Sequence, residues 1–165
     1  MQFAPVYPLL YRILQPIFPD CLWHGAENVA EIALTFDDGP HPEYTLQLLE
    51  VLDRHQVTAS FFCLGTLVDR YPQIAAEIVK RGHWIGLHGY QHISFSSLTT
   101  EELYQSLTKT QTAISSVCEI PIDRVWDVRP PNGLFTPKIL KQLKQWNYRV
   151  VLWSVVPEDW VSPGI

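Results

Sequence analysis

The sequence predicts an α/β fold built on a parallel sheet. Three observations carry that expectation. Short runs rich in Val, Ile, Phe and Trp recur at 32–36, 58–63, 83–87, 125–129 and 148–153, mostly apolar on both faces, as buried parallel strands are. Helical patterns separate them, giving a repeated strand–helix unit. The unusual polar residues fall where strands end: Asp37 and Asp38 after the first, His88 and His92 after the third, Arg129 at the end of the fourth, Asp159 and Trp160 past the fifth. Barrels and open α/β sheets place their active sites at that end.

Each helix has a local reason. Residues 43–55 set Tyr44, Leu48, Leu49 and Leu52 on one face. Pro72 opens 72–81, which repeats Ile74, Ile78 and Val79 before a stop at Gly82. Thr99 and Glu102 form a capping-box pattern ahead of Leu103, Leu107 and Ile114. Thr136 and Pro137 open a helix bearing Leu140, Leu143 and Trp146. Before the first strand, the stretch between Pro8 and Pro16 reads as a short amphipathic helix, expected to pack on the domain rather than lie on a membrane surface.

The 165 residues, 47% hydrophobic, suit one domain with a sizeable core. The expected division is an apolar, proline-rich segment at 1–28 followed by the domain at 29–165. A closed βα barrel usually takes ~250 residues. Five strands are therefore expected to form either a barrel lacking its last units or an open relative. The formal charge is −5 with no Lys/Arg cluster, which argues against a nucleic-acid surface. No continuous apolar run is long enough for a spanning helix, and no basic start or cleavage site of a signal peptide is visible. Cys21, Cys63 and Cys118 match no zinc-ligand spacing and suggest no disulfide framework; they read as buried thiols.

Chemistry concentrates in Thr35-Phe36-Asp37-Asp38-Gly39-Pro40. Two adjacent carboxylates at a strand exit are costly unless paired, and the Gly-Pro turn lifts them to the rim of the sheet. One can hold a metal while the other takes a proton. His88 and His92, four residues apart, would share one face of a helical turn and could grip one ion. With Asp38 they make a two-His, one-carboxylate set that leaves positions open for water, the pattern of a catalytic metal, with zinc the default ion and iron, cobalt, nickel or manganese able to occupy the same set. His24, His41, His55 and His83 read as turn, surface or strand-start histidines, although His41 lies close to the acidic pair.

With Arg129-Pro130-Pro131-Asn132-Gly133 downstream, the pattern resembles the polysaccharide deacetylases of the NodB-homology class, carbohydrate esterase family 4. The resemblance runs from about Ile32 to Trp160. It implies a distorted (β/α) barrel of about seven strands. It also implies metal-dependent removal of N-acetyl groups from a chitin- or peptidoglycan-like polysaccharide, with one divalent ion, and association with the cell envelope or export. Thr35 to Pro40 looks like the first motif, which would make Asp37 the general base and Asp38 a metal ligand. His88 and His92 match the second. Arg129 to Gly133 looks like the third, whose Arg steers the base and whose backbone N–H at Asn132 would contact the oxyanion. Trp153-Ser154 through Asp159-Trp160 looks like the fourth, in which Asp159 orients the catalytic acid; Pro131 and Trp160 would touch the sugar. Trp153 is expected to serve packing.

The sequence departs from the family pattern in four places. Gly89 stands where Ser or Thr normally follows the first His, Asn132 where an aromatic is usual, and Val156 where an Asp is usual. No His follows His92, so nothing matches the fifth motif, whose His would protonate the leaving amine. Impaired amide hydrolysis is the resulting expectation. A non-catalytic carbohydrate-binding remnant and a metal-dependent ester hydrolase are the alternatives.

Overall fold

The computed structural model describes residues 7–26 and 28–157. Asp159 and Trp160 lie outside the described residues. Five parallel strands form one sheet in the order β1(Thr35–Gly39), β2(Ser60–Cys63), β3(Trp84–Leu87), β4(Asp127–Val128) and β5(Arg149–Val150). Every predicted strand is present, and each is displaced or shorter than expected. β4 and β5 keep only two ladder residues each, although single bonds continue beyond them: Arg129 N–H donates to Leu87 O and Val151 N–H to Val128 O, each at 2.9 Å.

β1 shifts most. Ile32 and Leu34, expected to be buried, are 90% and 41% exposed, and the strand begins at Thr35. β1 is the edge of the sheet, paired only with β2 among the described residues, so the apolar run before it has nothing to pack beneath. At the opposite edge the N-terminal segment lies along β5. Leu22 N–H donates to Val150 O at 2.8 Å and Leu152 N–H to Leu22 O at 2.8 Å, forming a parallel bridge.

The helices follow the sequence signals closely. The first is α1(Tyr7–Ile17), followed by α2(Tyr44–His55), α3(Gly65–Arg70), α4(Pro72–Lys80), α5(Thr100–Cys118) and α6(Pro137–Gln145). α5 starts on a complete capping box: Glu102 N–H donates to the Thr99 hydroxyl at 3.2 Å while Thr99 N–H donates to the Glu102 carboxylate at 2.8 Å. Such a cap contributes about 1 kcal/mol. The buried face of α5 is Leu103, Leu107, Thr110 and Ile114, the three-and-four spacing of a helix lying on a sheet. α6 uses the predicted Thr136 cap, whose hydroxyl accepts from Ile139 N–H.

α1 packs on the domain through Tyr11 and Leu14, as expected, and Phe18 just past its end packs there too. The Trp23 indole N–H donates to Phe18 O at 3.0 Å, and Phe18 meets Phe135 edge-on. No helix among the described residues is long and apolar enough to cross a membrane. Cys21 and Cys63 are buried and Cys118 half-buried, all with free thiols. Burial pushes Cys21 and Cys118 up to about 11, so neither is a thiolate at neutral pH.

The short α3 carries no sequence signal. It opens on Gly65, where a Cβ would come within 2.4 Å of the Tyr90 ring and 2.6 Å of the Thr110 hydroxyl. The glycine buys close contact between α3, α5 and the loop after β3, and that loop carries the histidines.

Candidate active site

Two consecutive residues of a regular strand point to opposite faces, so Asp37 and Asp38 should diverge. A β-bulge prevents it. Asp37 pairs with Phe62 and Gly39 with the next residue, Cys63, leaving Asp38 as the extra residue with φ 64°. Asp is among the few side chains that tolerate this left-handed backbone. The bulge turns Asp38 toward the histidines while Asp37 keeps its place beside Arg129. The Gly39–Pro40 bond that follows is cis.

His88 extends β3, its N–H donating to Cys63 O at 2.9 Å. Residues 88–92 form a loop rather than the expected helical turn. Gly89, with φ 85°, bends the backbone so that both imidazoles reach one point. The loop is stiffened from outside: Tyr90 N–H donates to the Ser106 hydroxyl of α5 at 2.8 Å, while Gly65 and Thr66 N–H donate to the carbonyls of Gly89 and Tyr90. Ser106 thus supplies, from another element, a hydroxyl to the loop that lacks one at position 89.

Asp38 Oδ1 lies 3.4 Å from His88 Nε2 and 3.5 Å from His92 Nε2, and the three candidate ligand atoms all lie within 4.8 Å of one another. A tetrahedral zinc with bonds of ~2.0–2.2 Å needs ligand separations of ~3.3–3.5 Å. The protonation pattern supports the same fit. His88 Nδ1 lies 2.7 Å from Arg129 O; a carbonyl only accepts, so Nδ1 carries the proton. His88 Nε2 is then a bare lone pair facing the Asp38 carboxylate, acceptor against acceptor. Burial pulls the His88 imidazole below its ordinary value, against the upward pull of Asp37, the Arg129 carbonyl and Asp38, so a second proton is disfavoured there. A divalent cation resolves the clash, and the carbonyl bond to Nδ1 is the outer contact that orients a metal-binding imidazole.

Arg129 is 2% exposed, not a surface strand-end residue. Its Nη1 donates to Asp37 Oδ1 and to the Thr35 hydroxyl, each at 2.8 Å; Nη2 donates to Leu152 O at 2.9 Å and Nε to Val151 O at 3.2 Å. The guanidinium lies 4.1 Å from the Phe62 ring centroid and 5.2 Å from that of Trp153. Burial lowers its basicity, and Asp37 opposes that. Two glycines make the aromatic sandwich possible. A Cβ on Gly86 would sit 2.9 Å from the Phe62 ring, and one on Gly133 2.6 Å from the Trp153 ring. Trp153 does pack, as expected, and what it packs against is Arg129 and Gly133.

The segment after Arg129 forms a tight turn in which Asn132 has φ 58° and is exposed beside buried Pro131. The structure therefore brings Asp37, Asp38, His88, His92 and Arg129 together at the C-terminal end of the sheet. Sequence reasoning missed Thr35, Phe62, Gly86 and Ser106. Gly86 inside an apolar strand is the one signal that could have been read, since a strand glycine often marks a close approach.

The polysaccharide deacetylase family profile matches residues 24–151. A peptidoglycan-N-acetylglucosamine deacetylase of Bacillus cereus is 34% identical over 145 residues, covering 87% of this chain and 66% of the relative. A chitooligosaccharide deacetylase of Azorhizobium caulinodans is 34% identical over 139 residues, covering 84% and 65%. The solved structure of a family 4 carbohydrate esterase from Bacillus anthracis superposes with a TM-score of 0.82 at 32% identity, covering 94% of this chain and 73% of that one. The chain spans between about half and two thirds of the length of the curated relatives it matches first, from 48% to 66%. On the family profile, the sheet and the shared sequence together, the chain belongs to the polysaccharide deacetylase family.

Proposed function

We propose that this chain carries the metal-binding and proton-accepting part of an N-deacetylase acting on a peptidoglycan- or chitin-like glycan. The observation that carries the reading is the convergence of Asp38, His88 and His92 on one point, with Asp37 held beside them by a buried arginine. The similarity to peptidoglycan and chitooligosaccharide deacetylases supports the substrate class.

Asp38, His88 and His92 would hold one divalent ion, with zinc the expected metal. Bound there, it supplies a Lewis acid that polarises an N-acetyl carbonyl and acidifies water. Asp37 keeps 30% of its side chain exposed and takes the proton from the attacking water as general base. Arg129 fixes Asp37 by its Nη1 bond, and Thr35 and the two carbonyls fix Arg129. The Asn132 backbone N–H is the donor assigned in this proposal to the developing oxyanion. Asp159, Pro131 and Trp160 complete the proposed set: Asp159 for the acid side, the other two for sugar contact. No histidine follows His92 in the 165 residues, so the leaving amine has no imidazole acid from that part of the sequence. Losing a positioned acid costs about 10²–10⁴-fold, and these 165 residues by themselves should turn over amides slowly and esters less slowly.

The test is acetate release from chitopentaose, peptidoglycan and an acetate ester, with zinc and with chelator. Zinc-dependent release that Asp37→Asn abolishes supports the reading. Release indifferent to chelator refutes it. Zinc bound at one per chain with no release from any substrate assigns a carbohydrate-binding role instead.

A further inference from the structure

His41 and Tyr44 follow the acidic pair on the same rim and take no part in the chemistry above. Their rings are stacked, centroids 4.5 Å apart and planes 15° from parallel. Tyr44 is 63% exposed and His41 is exposed as well. A single exposed aromatic needs no explanation; a rigid stacked pair beside a metal set does.

The rigidity is built into the start of α2. Glu43 and Tyr44 N–H both donate to His41 Nδ1 at 3.2 Å, so the imidazole caps the helix where Glu43 offers no side-chain cap. His41 N–H donates to the hydroxyl of buried Thr45 at 2.8 Å, and Thr45 N–H returns to His41 O at 3.3 Å. Because Nδ1 accepts, the neutral ring carries its proton on Nε2, on the far side of the ring from the backbone it caps. The pair therefore offers a flat aromatic surface together with one N–H donor.

We propose that His41 and Tyr44 form a sugar-stacking platform, a subsite for a pyranose ring of an N-acetylated glycan next to the unit over the metal set. The proposal rests on the deacetylase reading and names a contact outside its chemistry. The C–H face of a pyranose is complementary to the negative face of an aromatic ring, and apolar faces with a few placed polar groups are how small-molecule sites gain orientation. His41 lies three positions after Asp38, a reach of at most ~11 Å between their Cα atoms. That distance is within the length of a short oligosaccharide held at the metal set. The His41 Nε2–H can donate to a ring hydroxyl or to an acetamido oxygen.

The experiment titrates the full 165-residue chain with chitopentaose and with cellopentaose, following Tyr44 ring signals by NMR and affinity by calorimetry. Zinc stoichiometry is measured in parallel. Tyr44→Ala should weaken chitopentaose binding about three- to tenfold, the share of one aromatic contact, with zinc still at one per chain. Tyr44→Phe, which keeps the stack, should bind within about twofold of the parent. Tighter binding of chitopentaose than cellopentaose assigns the N–H donor to the acetamido group, and equal binding assigns it to a ring hydroxyl. Unchanged affinity in Tyr44→Ala, or Tyr44 signals that do not move in the parent chain, overturns the platform. Loss of zinc or of acetate release in the parent counts against the deacetylase reading and leaves the platform result legible.

Discussion

Two carboxylate–guanidinium pairs flank Val128 of strand β4, and they are built in opposite senses. In the lower pair the carboxylate of Asp127 is buried and the Arg149 side chain is 37% exposed. Both Asp127 oxygens are used, accepting from Arg149 Nε at 2.6 Å and Nη2 at 2.9 Å. In the upper pair the guanidinium of Arg129 is buried, the Asp37 side chain stays 30% exposed, and Arg129 uses one N–H on a single Asp37 oxygen. The same guanidinium also donates to Thr35, Val151 and Leu152. The bidentate pair consumes its carboxylate for structure. The upper pair fixes a carboxylate and leaves its second oxygen without a hydrogen-bond partner among the described residues, as a proton acceptor at the rim requires.

Exchanging the acids should separate these roles. Asp37→Asn is expected to lower zinc-dependent turnover by about 10²–10⁴-fold, with zinc affinity and melting temperature close to the parent. Asp127→Asn should leave turnover intact and destabilise the fold by about 1–2 kcal/mol through a weakened buried acceptor, read by urea unfolding. Equal loss of turnover in both variants would erase the distinction.

The aromatic bed under Arg129 offers the next contrast. Gly86→Ala pushes a Cβ against Phe62 and, at 3.0 Å, the Asp127 carbonyl. Overpacking of this kind costs about 1–3 kcal/mol, and here it should also lower turnover by displacing Phe62 from Arg129. Phe62→Leu keeps most of the volume and removes the ring face; a smaller stability loss with a similar fall in turnover would assign the ring a part in holding Arg129. Parent-like turnover in both variants would reduce Phe62 to filler.

How far these features could be read in advance depended on their range along the chain. Local signals worked: the Thr99–Glu102 capping box, Pro72, and Thr136-Pro137 each opened the helix they predicted. Features that need a partner from another element did not. α3 forms around contacts that Gly65 makes with Tyr90 and Thr110, far along the chain. The Asp38 bulge shows only against the register of β2, and the support of the histidine loop by Ser106 only once α5 is in place. Ile32 and Leu34 look like core residues until β1 is seen to be an edge. The clustering of Asp38, His88 and His92 as a candidate metal set was legible from the motif spacing, although the helical turn assumed for the histidines is a loop.

The smallest expected effect concerns pH. Burial lowers the folded-state value of His83, whose Nδ1 accepts from Ala59 N–H and whose buried Nε2 has no partner among the described residues. A group depressed on folding contributes stability above its unfolded value and loses it as pH falls. In chelator, stability should therefore decline as pH drops below about 6.5, the ordinary histidine value, with His88 contributing in the same direction. His83→Gln should flatten part of that slope in urea titrations at several pH values. An unchanged slope would show that His83 does not carry it.

The central claim is that Asp38, His88 and His92 meet around one ion. X-ray absorption spectroscopy on the zinc-loaded chain tests it most directly, run beside His88→Ala and His92→Ala. The account predicts one zinc per chain, two imidazole nitrogens and a carboxylate oxygen at ~2.0–2.2 Å, and loss of that shell in both variants. Zinc that fails to bind, or that binds with the same shell after either histidine is removed, would contradict it.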